Sequence, residues 1–196
     1  MTLYILFIVI AYLIGAIPVG VILSKIKGID PRRIGSGNIG ATNVMRAAGK
    51  AFGLLTLIGD ALKGFTPTLI AIHSGLPFPV IAVIGLATFL GHLFPVYLKF
   101  KGGKGVATAL GVYIAISPYA ILISFIVFIL TFLKWRYVSL GSLIGTGIMP
   151  FTLIVLNAPV EYVYLSLAVG ALIFVKHSDN IKRLVAGKEN RFGRSG

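Results

Sequence analysis

Residues 32–46 read RRIGSGNIGATNVMR, and within them Gly35-Ser36-Gly37-Asn38-Ile39-Gly40 matches the spacing G-x-G-x-x-G. In a dinucleotide-binding unit that spacing lies between a strand and a helix, with an acidic residue about 20 positions on for the ribose. Here an apolar run and a short charged segment come before it, and the acidic residue at that distance, Asp60, falls inside another apolar run. The nucleotide reading is set aside. Two readings of the glycines remain: a flexible loop cap, or a turn whose backbone N–H groups converge on an anion. Ser36, Asn38, Thr42 and Asn43 add short polar side chains beside Gly37 and Gly40, and Arg46 adds a fork suited to phosphate.

A second cluster, Lys101-Gly102-Gly103-Lys104-Gly105, opens a later apolar run. A helix N-terminus attracts phosphate through its free N–H groups and partial positive charge. Lys104 adds a mobile point charge, and Thr108 lies one turn along. The Walker spacing fails, because Gly rather than Ser or Thr follows the lysine. A basic loop with helix-breaking glycines accounts for the same residues without a ligand. The third stretch, KHSDNIKRLVAGKENRFG from Lys176 to Gly193, puts His177 and Asn180 three apart, on one face of a helix that Arg183 continues. Glu189 is one of only five acidic residues, and pairing with a basic neighbour is its default role.

Two charged residues lie inside an apolar run, Asp60 and Lys63, again three apart. Each left alone at mid-membrane would cost about 2.5–3.5 kcal/mol, so they read either as a structural pair or as the lining of a site. His92 reads as a buried, satisfied histidine near a helix end. Ser142 is a polar residue at the start of the sixth run.

The elements that must position these residues are apolar throughout. The chain has 196 residues, is 57% hydrophobic and 12% charged, and has a mean hydropathy of +0.98. Soluble domains carry about twice that charge fraction. The apolar runs fall at about 3–23, 51–72, 77–98, 105–117, 118–133, 139–157 and 159–175. The predicted fold is an all-α integral membrane protein of seven spans in a single domain, 1–196. Ser117-Pro118 separates the short fourth and fifth runs, which as one kinked helix would make six spans. Charge chooses between the two counts. Lys and Arg gather in four segments: 25–50, 99–104, 134–136, and a tail holding Lys176, Lys182, Arg183, Lys188, Arg191 and Arg194. The turns near His73-Ser74, Ser117-Pro118 and 157–161 have none. Only seven spans place all four basic segments on one side, with the N-terminus outside and the C-terminus cytoplasmic. The net charge of +13 is then a property of the cytoplasmic face, where it also attracts anionic lipid. With no cysteine, disulfides and thiolate chemistry are excluded. The first run is too long for a signal-peptide core and is read as a retained helix.

Taken together, GSGNIGATNVMR, GHLFPVYLKFKGGKGVAT and KHSDNIKRL with the following Glu189 resemble the three motifs of the bacterial acyl-phosphate-dependent glycerol-3-phosphate acyltransferases, the PlsY family. Gly-Asp-x-x-Lys-Gly at 59–64 fits the same family. The resemblance covers nearly the whole chain. It implies transfer of an acyl group from acyl phosphate to glycerol 3-phosphate in phospholipid synthesis, giving lysophosphatidic acid and phosphate. It implies the bacterial inner membrane, an active site facing the cytoplasm, and contact with the soluble enzyme that makes acyl phosphate. No cofactor, metal or nucleic-acid partner is expected.

On this reading the sn-1 hydroxyl attacks the activated carbonyl directly, and no protein nucleophile is needed. Ser36, Thr42, Asn43, Arg46, the 102–105 backbone and Lys104 are the expected phosphate ligands, with Arg183 and Lys63 as further candidates; Gly37, Asn38, Gly40, His92, Thr108 and Ser142 are expected among the other substrate-binding residues. Asn180 is expected to donate to the developing oxyanion. The proton goes either to a phosphate oxygen of the donor or to His177, with the substrate route favoured. Arg46, Lys104 and His177 are expected to converge at the inner membrane boundary. Two rival classes stand against this reading. A transporter of an anionic solute predicts polar residues on both membrane faces, and the outer turns offer only His73, Ser74, Asn157 and Glu161. A lipid-binding scaffold predicts no chemistry.

Overall fold

The computed structural model describes residues 1–193; Arg194 of the basic tail lies outside them. All seven apolar runs are helical, and among the described residues there is no strand. The chain divides into two compact units, one of Met1–Ile116 and one beginning at Ser117.

The first unit opens with α1 (Thr2–Ala16) and α2 (Val19–Lys25), two pieces of one apolar run. Pro18 at the junction has no N–H to continue the helical ladder. A short amphipathic helix, α3 (Ala41–Ala48), precedes α4 (Lys50–His73). At 1.5 Å per residue α4 is about 36 Å long, more than the ~30 Å hydrocarbon core. Next come α5 (Phe78–Leu93), a 3₁₀ turn at Val96–Leu98, and α6 (Val106–Ile116). Helices α4 and α6 approach closely because both carry glycine at the contact. A Cβ at Gly111 would overlap the Ala61 carbonyl, and one at Gly64 the Thr108 carbonyl. Small residues of this kind are how helices pack where lipid offers no hydrophobic drive between them.

The second unit contains α7 (Pro118–Trp135), α8 (Val138–Val155), α9 (Val160–Lys176) and α10 (Ser178–Val185). Non-helical Ser117 separates α6 from α7, and Pro118 takes the first position of α7, where its missing N–H does no harm. Helix α9 is bent by 62° from α10, with His177 between them.

Among the described residues, five segments are long and apolar enough to cross a membrane: Thr2–Lys25, Lys50–His73, Phe78–Leu98, Pro118–Trp135 and Val138–Val155. The bent α9–α10 pair makes a sixth if counted as one span, whereas α6, with 11 residues, is short. The outward faces are oily: Leu3, Leu6, Leu122, Ile126 and Leu130 are each more than half exposed or nearly so. Contiguous exposed apolar surface of this extent belongs against lipid tails.

Candidate active site

The first glycine stretch is an ordered loop built around one side chain. Asn43, on the first turn of α3, is 2% exposed. Its Nδ2 donates to the carbonyls of Pro31, Ile34 and Asn38 at 2.8, 3.0 and 2.8 Å, and its Oδ1 accepts the Ser36 N–H at 2.9 Å. Asn38 Oδ1 accepts the Gly40 N–H at 2.8 Å, and Gly37 donates its N–H to the Ile34 carbonyl. Three N–H groups of the glycine string, those of Ser36, Gly37 and Gly40, are thus satisfied inside the loop. The Ser36 and Arg46 side chains are exposed and Thr42 is half-buried. Gly35 and Gly37 have φ of +60° and +69°, a region where other residues are strained. Upstream, Asp30 caps the Pro31–Arg33 turn and grips the Arg32 guanidinium, with Oδ2 2.7 Å from Nη2. That hydrogen bond, assisted by the charge of Arg32, holds the Asp30 carboxyl at about 2.

The second stretch is held by the end of α5. Gly103 donates its N–H to the His92 carbonyl at 3.1 Å. A Cβ at Gly102 would overlap that same carbonyl, and one at Gly103 would overlap His92 Nε2. Gly105 has φ +83° and accepts the Ala109 N–H, which starts α6. Lys104 is half-buried between these glycines, and Thr108 is fully buried.

Behind this loop is the intramembrane charge cluster. Lys63 Nζ lies 2.8 Å from Asp60 Oδ1, both nearly inaccessible, and donates to the Ile17 carbonyl at 3.0 Å. That carbonyl lies at the Pro18 break, where the regular ladder is interrupted. The third member is His92, whose Nδ1 is 3.6 Å from the same carboxylate oxygen. His92 is indeed buried, at 3% exposure, but its carboxylate neighbour was not foreseen. No sequence pattern links positions 60 and 92, which sit on different helices.

In the second unit His177 and Asn180 are both buried. They do not ride one straight helix, as their spacing suggested: His177 is the junction of the bent pair and Asn180 stands in the first turn of α10. The His177 Nδ1 lies 2.9 Å from the Ile173 carbonyl. A carbonyl only accepts, so Nδ1 carries the proton of this bond. Glu189 accepts from three groups: Asn180 Nδ2 at 2.6 Å, Ser139 Oγ at 2.9 Å and Arg183 Nε at 2.7 Å. Burial pushes its carboxyl up, but these donors outweigh burial and hold it below its ordinary value. The Arg183 pairing is the basic partner expected of Glu189; Ser139, 50 positions away, carried no signal. Ser142 is buried and donates to the Val138 carbonyl at 2.9 Å. Among the described residues no three His or carboxylate side chains gather as metal ligands.

These buried polar clusters sit among helices suited to a membrane, and comparison with known proteins gives the family. A family model described as glycerol-3-phosphate acyltransferase matches residues 5–187. The chain is 50% identical over 194 residues to the glycerol-3-phosphate acyltransferase of Geotalea daltonii, covering 99% of this chain and 100% of that one. It is 51% identical over 189 residues to that of Aquifex aeolicus, covering 95% and 98%. The crystal structure of PlsY (YgiH), an integral membrane glycerol 3-phosphate acyltransferase, in its glycerol 3-phosphate form superposes with a TM-score of 0.94 at 49% identity, covering 97% of this chain and 96% of that one. Its lysophosphatidic acid form gives 0.92 at 48% identity, covering 97% and 95%. The chain belongs to the glycerol-3-phosphate acyltransferase family; it is an integral membrane acyltransferase of the PlsY type.

Proposed function

We propose that this enzyme takes its acyl group from acyl phosphate and gives 1-acyl-glycerol 3-phosphate and inorganic phosphate. The observation that carries the reading is the presence of all three motifs in a chain whose relative has been captured in both glycerol 3-phosphate and lysophosphatidic acid forms. The whole chain acts as one acyltransferase domain in the bacterial inner membrane. It crosses seven times, with the N-terminus outside and the basic loops, the site and the C-terminus on the cytoplasmic side; the clustering of Lys and Arg supports this orientation. Contact with the soluble enzyme that makes acyl phosphate belongs to the same reading.

Donor phosphate is held by Ser36, Thr42 and Arg46, with Gly37, Asn38, Gly40 and Asn43 shaping the loop. Lys104, the 102–105 backbone and Thr108 hold acceptor phosphate. Lys63 and His92 support that loop from behind; Arg183 and Ser142, in the second unit, are further substrate-binding candidates. Asn180 steadies the oxyanion, with Glu189 fixing its amide. The second unit also carries an open apolar groove of about 750 Å³, lined by Leu140, Leu143, Phe151, Phe174, Leu184 and others, which suits an acyl chain entering from lipid.

Because acyl phosphate is already activated, positioning supplies most of the acceleration, up to roughly 7–11 kcal/mol. A phosphate oxygen of the donor takes the hydroxyl proton as phosphate departs. A second reading makes His177 the base, favoured by its Nδ1 hydrogen bond, which in the neutral ring puts the accepting lone pair on Nε2. The test is direct. Purified protein in lipid receives acyl phosphate and labelled glycerol 3-phosphate, and labelled lysophosphatidic acid is the expected product; product from acyl-CoA but not acyl phosphate overturns the donor. His177→Ala then decides the base: loss of the acidic limb of the pH–rate profile assigns it to His177, and survival of that limb assigns it to the substrate.

A further inference from the structure

His92 touches the lysine loop twice. Its carbonyl accepts the Gly103 N–H at 3.1 Å. Its ring points its Nε2 edge at Gly103: a Cβ there would overlap Nε2 and come within 2.9 Å of Cε1 and 3.1 Å of Cδ2. The residue so cradled is the one immediately before Lys104. On its other side the ring meets Asp60, with Nδ1 3.6 Å from Oδ1. Asp60 is bound in turn by Lys63, and Lys63 by the Ile17 carbonyl at the break between α1 and α2. One buried line of contacts thus runs from the first span, through α4 and the end of α5, to the lysine loop. Every polar side chain in it is at most 6% exposed, so none is freely mobile.

We propose that His92 is a positioning residue for Lys104: its ring, seated beside Asp60, is the floor that sets the height of the Gly102–Gly105 turn and so the reach of the lysine toward the acceptor phosphate. This rests on reading Lys104 as a phosphate ligand. The imidazole is needed as a shape, and glycine at position 103 is needed because the imidazole is there.

The two halves of that statement are testable as a cycle of Gly103→Ala, His92→Ala and the double variant, each purified in lipid and assayed at saturating acyl donor. Either single change is expected to raise KM for glycerol 3-phosphate by about tenfold, with kcat within about threefold, the signature of lost ground-state positioning. The double variant is expected to have a KM no higher than His92→Ala alone, because the added methyl enters the space the ring vacates. Multiplying KM effects in the double variant, or an effect confined to kcat, overturns the proposal. Recovery of folded protein from the double variant but not from Gly103→Ala shows the same coupling and supports it. Where neither variant carrying Gly103→Ala folds, His92→Ala decides by itself: a KM change below twofold overturns the proposal. Lys104→Ala is the control. If it leaves KM for glycerol 3-phosphate unchanged, the lysine assignment fails; if it raises KM while the cycle shows no coupling, only the His92 inference fails.

Discussion

The two glycine-rich loops of the first unit look alike as strings and are built on different physics. In the 35–43 loop glycine is needed for backbone conformation. Gly35 and Gly37 take positive φ, and a single buried amide, Asn43, holds the resulting path through four backbone hydrogen bonds. In the 102–105 turn, glycine at 102 and 103 is needed for space, since the backbone is pressed against the end of α5 and its histidine. Only Gly105 there has positive φ. The first loop is therefore organised from within and the second from outside. A residue type that reads as flexibility in both marks a fixed path in each.

That contrast predicts an order of effects. The largest is Asn43→Ala, which strips the first loop of its organiser and leaves its carbonyls without their donor. Activity is expected to fall about 100-fold, the scale of a misplacement near 1 Å. Asn43→Ala activity within about threefold of the parent enzyme would break the comparison. Next is Gly102→Ala, whose methyl meets backbone, the His92 and Leu93 carbonyls, and the Pro95 ring. A roughly tenfold or greater loss of kcat/KM is expected, or about 1.4 kcal/mol. Unlike the change at 103 it should not be relieved by His92→Ala, and relief there would show that the clash lies with the ring.

Smaller is Gly37→Ala, where the Arg32 carbonyl is tight at 3.2 Å from the new Cβ but needs to give by only a few tenths of an ångström, and the larger cost is the φ of +69°. A left-handed residue costs about 1–2 kcal/mol, less for Asn, so thermal stability in lipid should fall for Gly37→Ala and fall less for Gly37→Asn. Equal losses would mean that sterics rather than φ decide. The smallest effect concerns acid. Asp30, beside the first loop, has its carboxyl lowered from 3.8 to about 2 by Arg32. A lowered carboxyl adds stability that is complete above pH 3.8 and is lost as pH falls through about 2. Amide exchange at Arg32, whose N–H the carboxylate accepts, should quicken relative to its intrinsic rate in that window. In Asp30→Asn the step should vanish. The site is open to solvent, so global stability should hardly move.

Much of this was legible in the residues. Seven apolar runs became helical segments because lipid leaves the backbone no alternative to internal hydrogen bonds. The pairing of Asp60 with Lys63 was one of two readings of their spacing, and the scarcity of acids pointed to a basic partner for Glu189 without naming Arg183. The hidden parts were long-range or inward. Asn43 reads as one more polar residue of a polar loop, and nothing in its type shows that its donors turn back to Pro31, Ile34 and Asn38. His92 meets Asp60 only because α4 and α5 are neighbours, and Ser139 meets Glu189 across 50 positions. The bend at His177 was missed because helical spacing on either side of it continues undisturbed.

Composition and periodicity, then, determined by themselves that this chain lives in a membrane as helices, and three short motifs determined its family, because both are properties of neighbouring residues. What glycine is for at each position, and which buried polar groups hold one another, the tertiary structure alone decided. A conformational demand and a steric one call for the same residue, and only the atoms brought against it tell them apart.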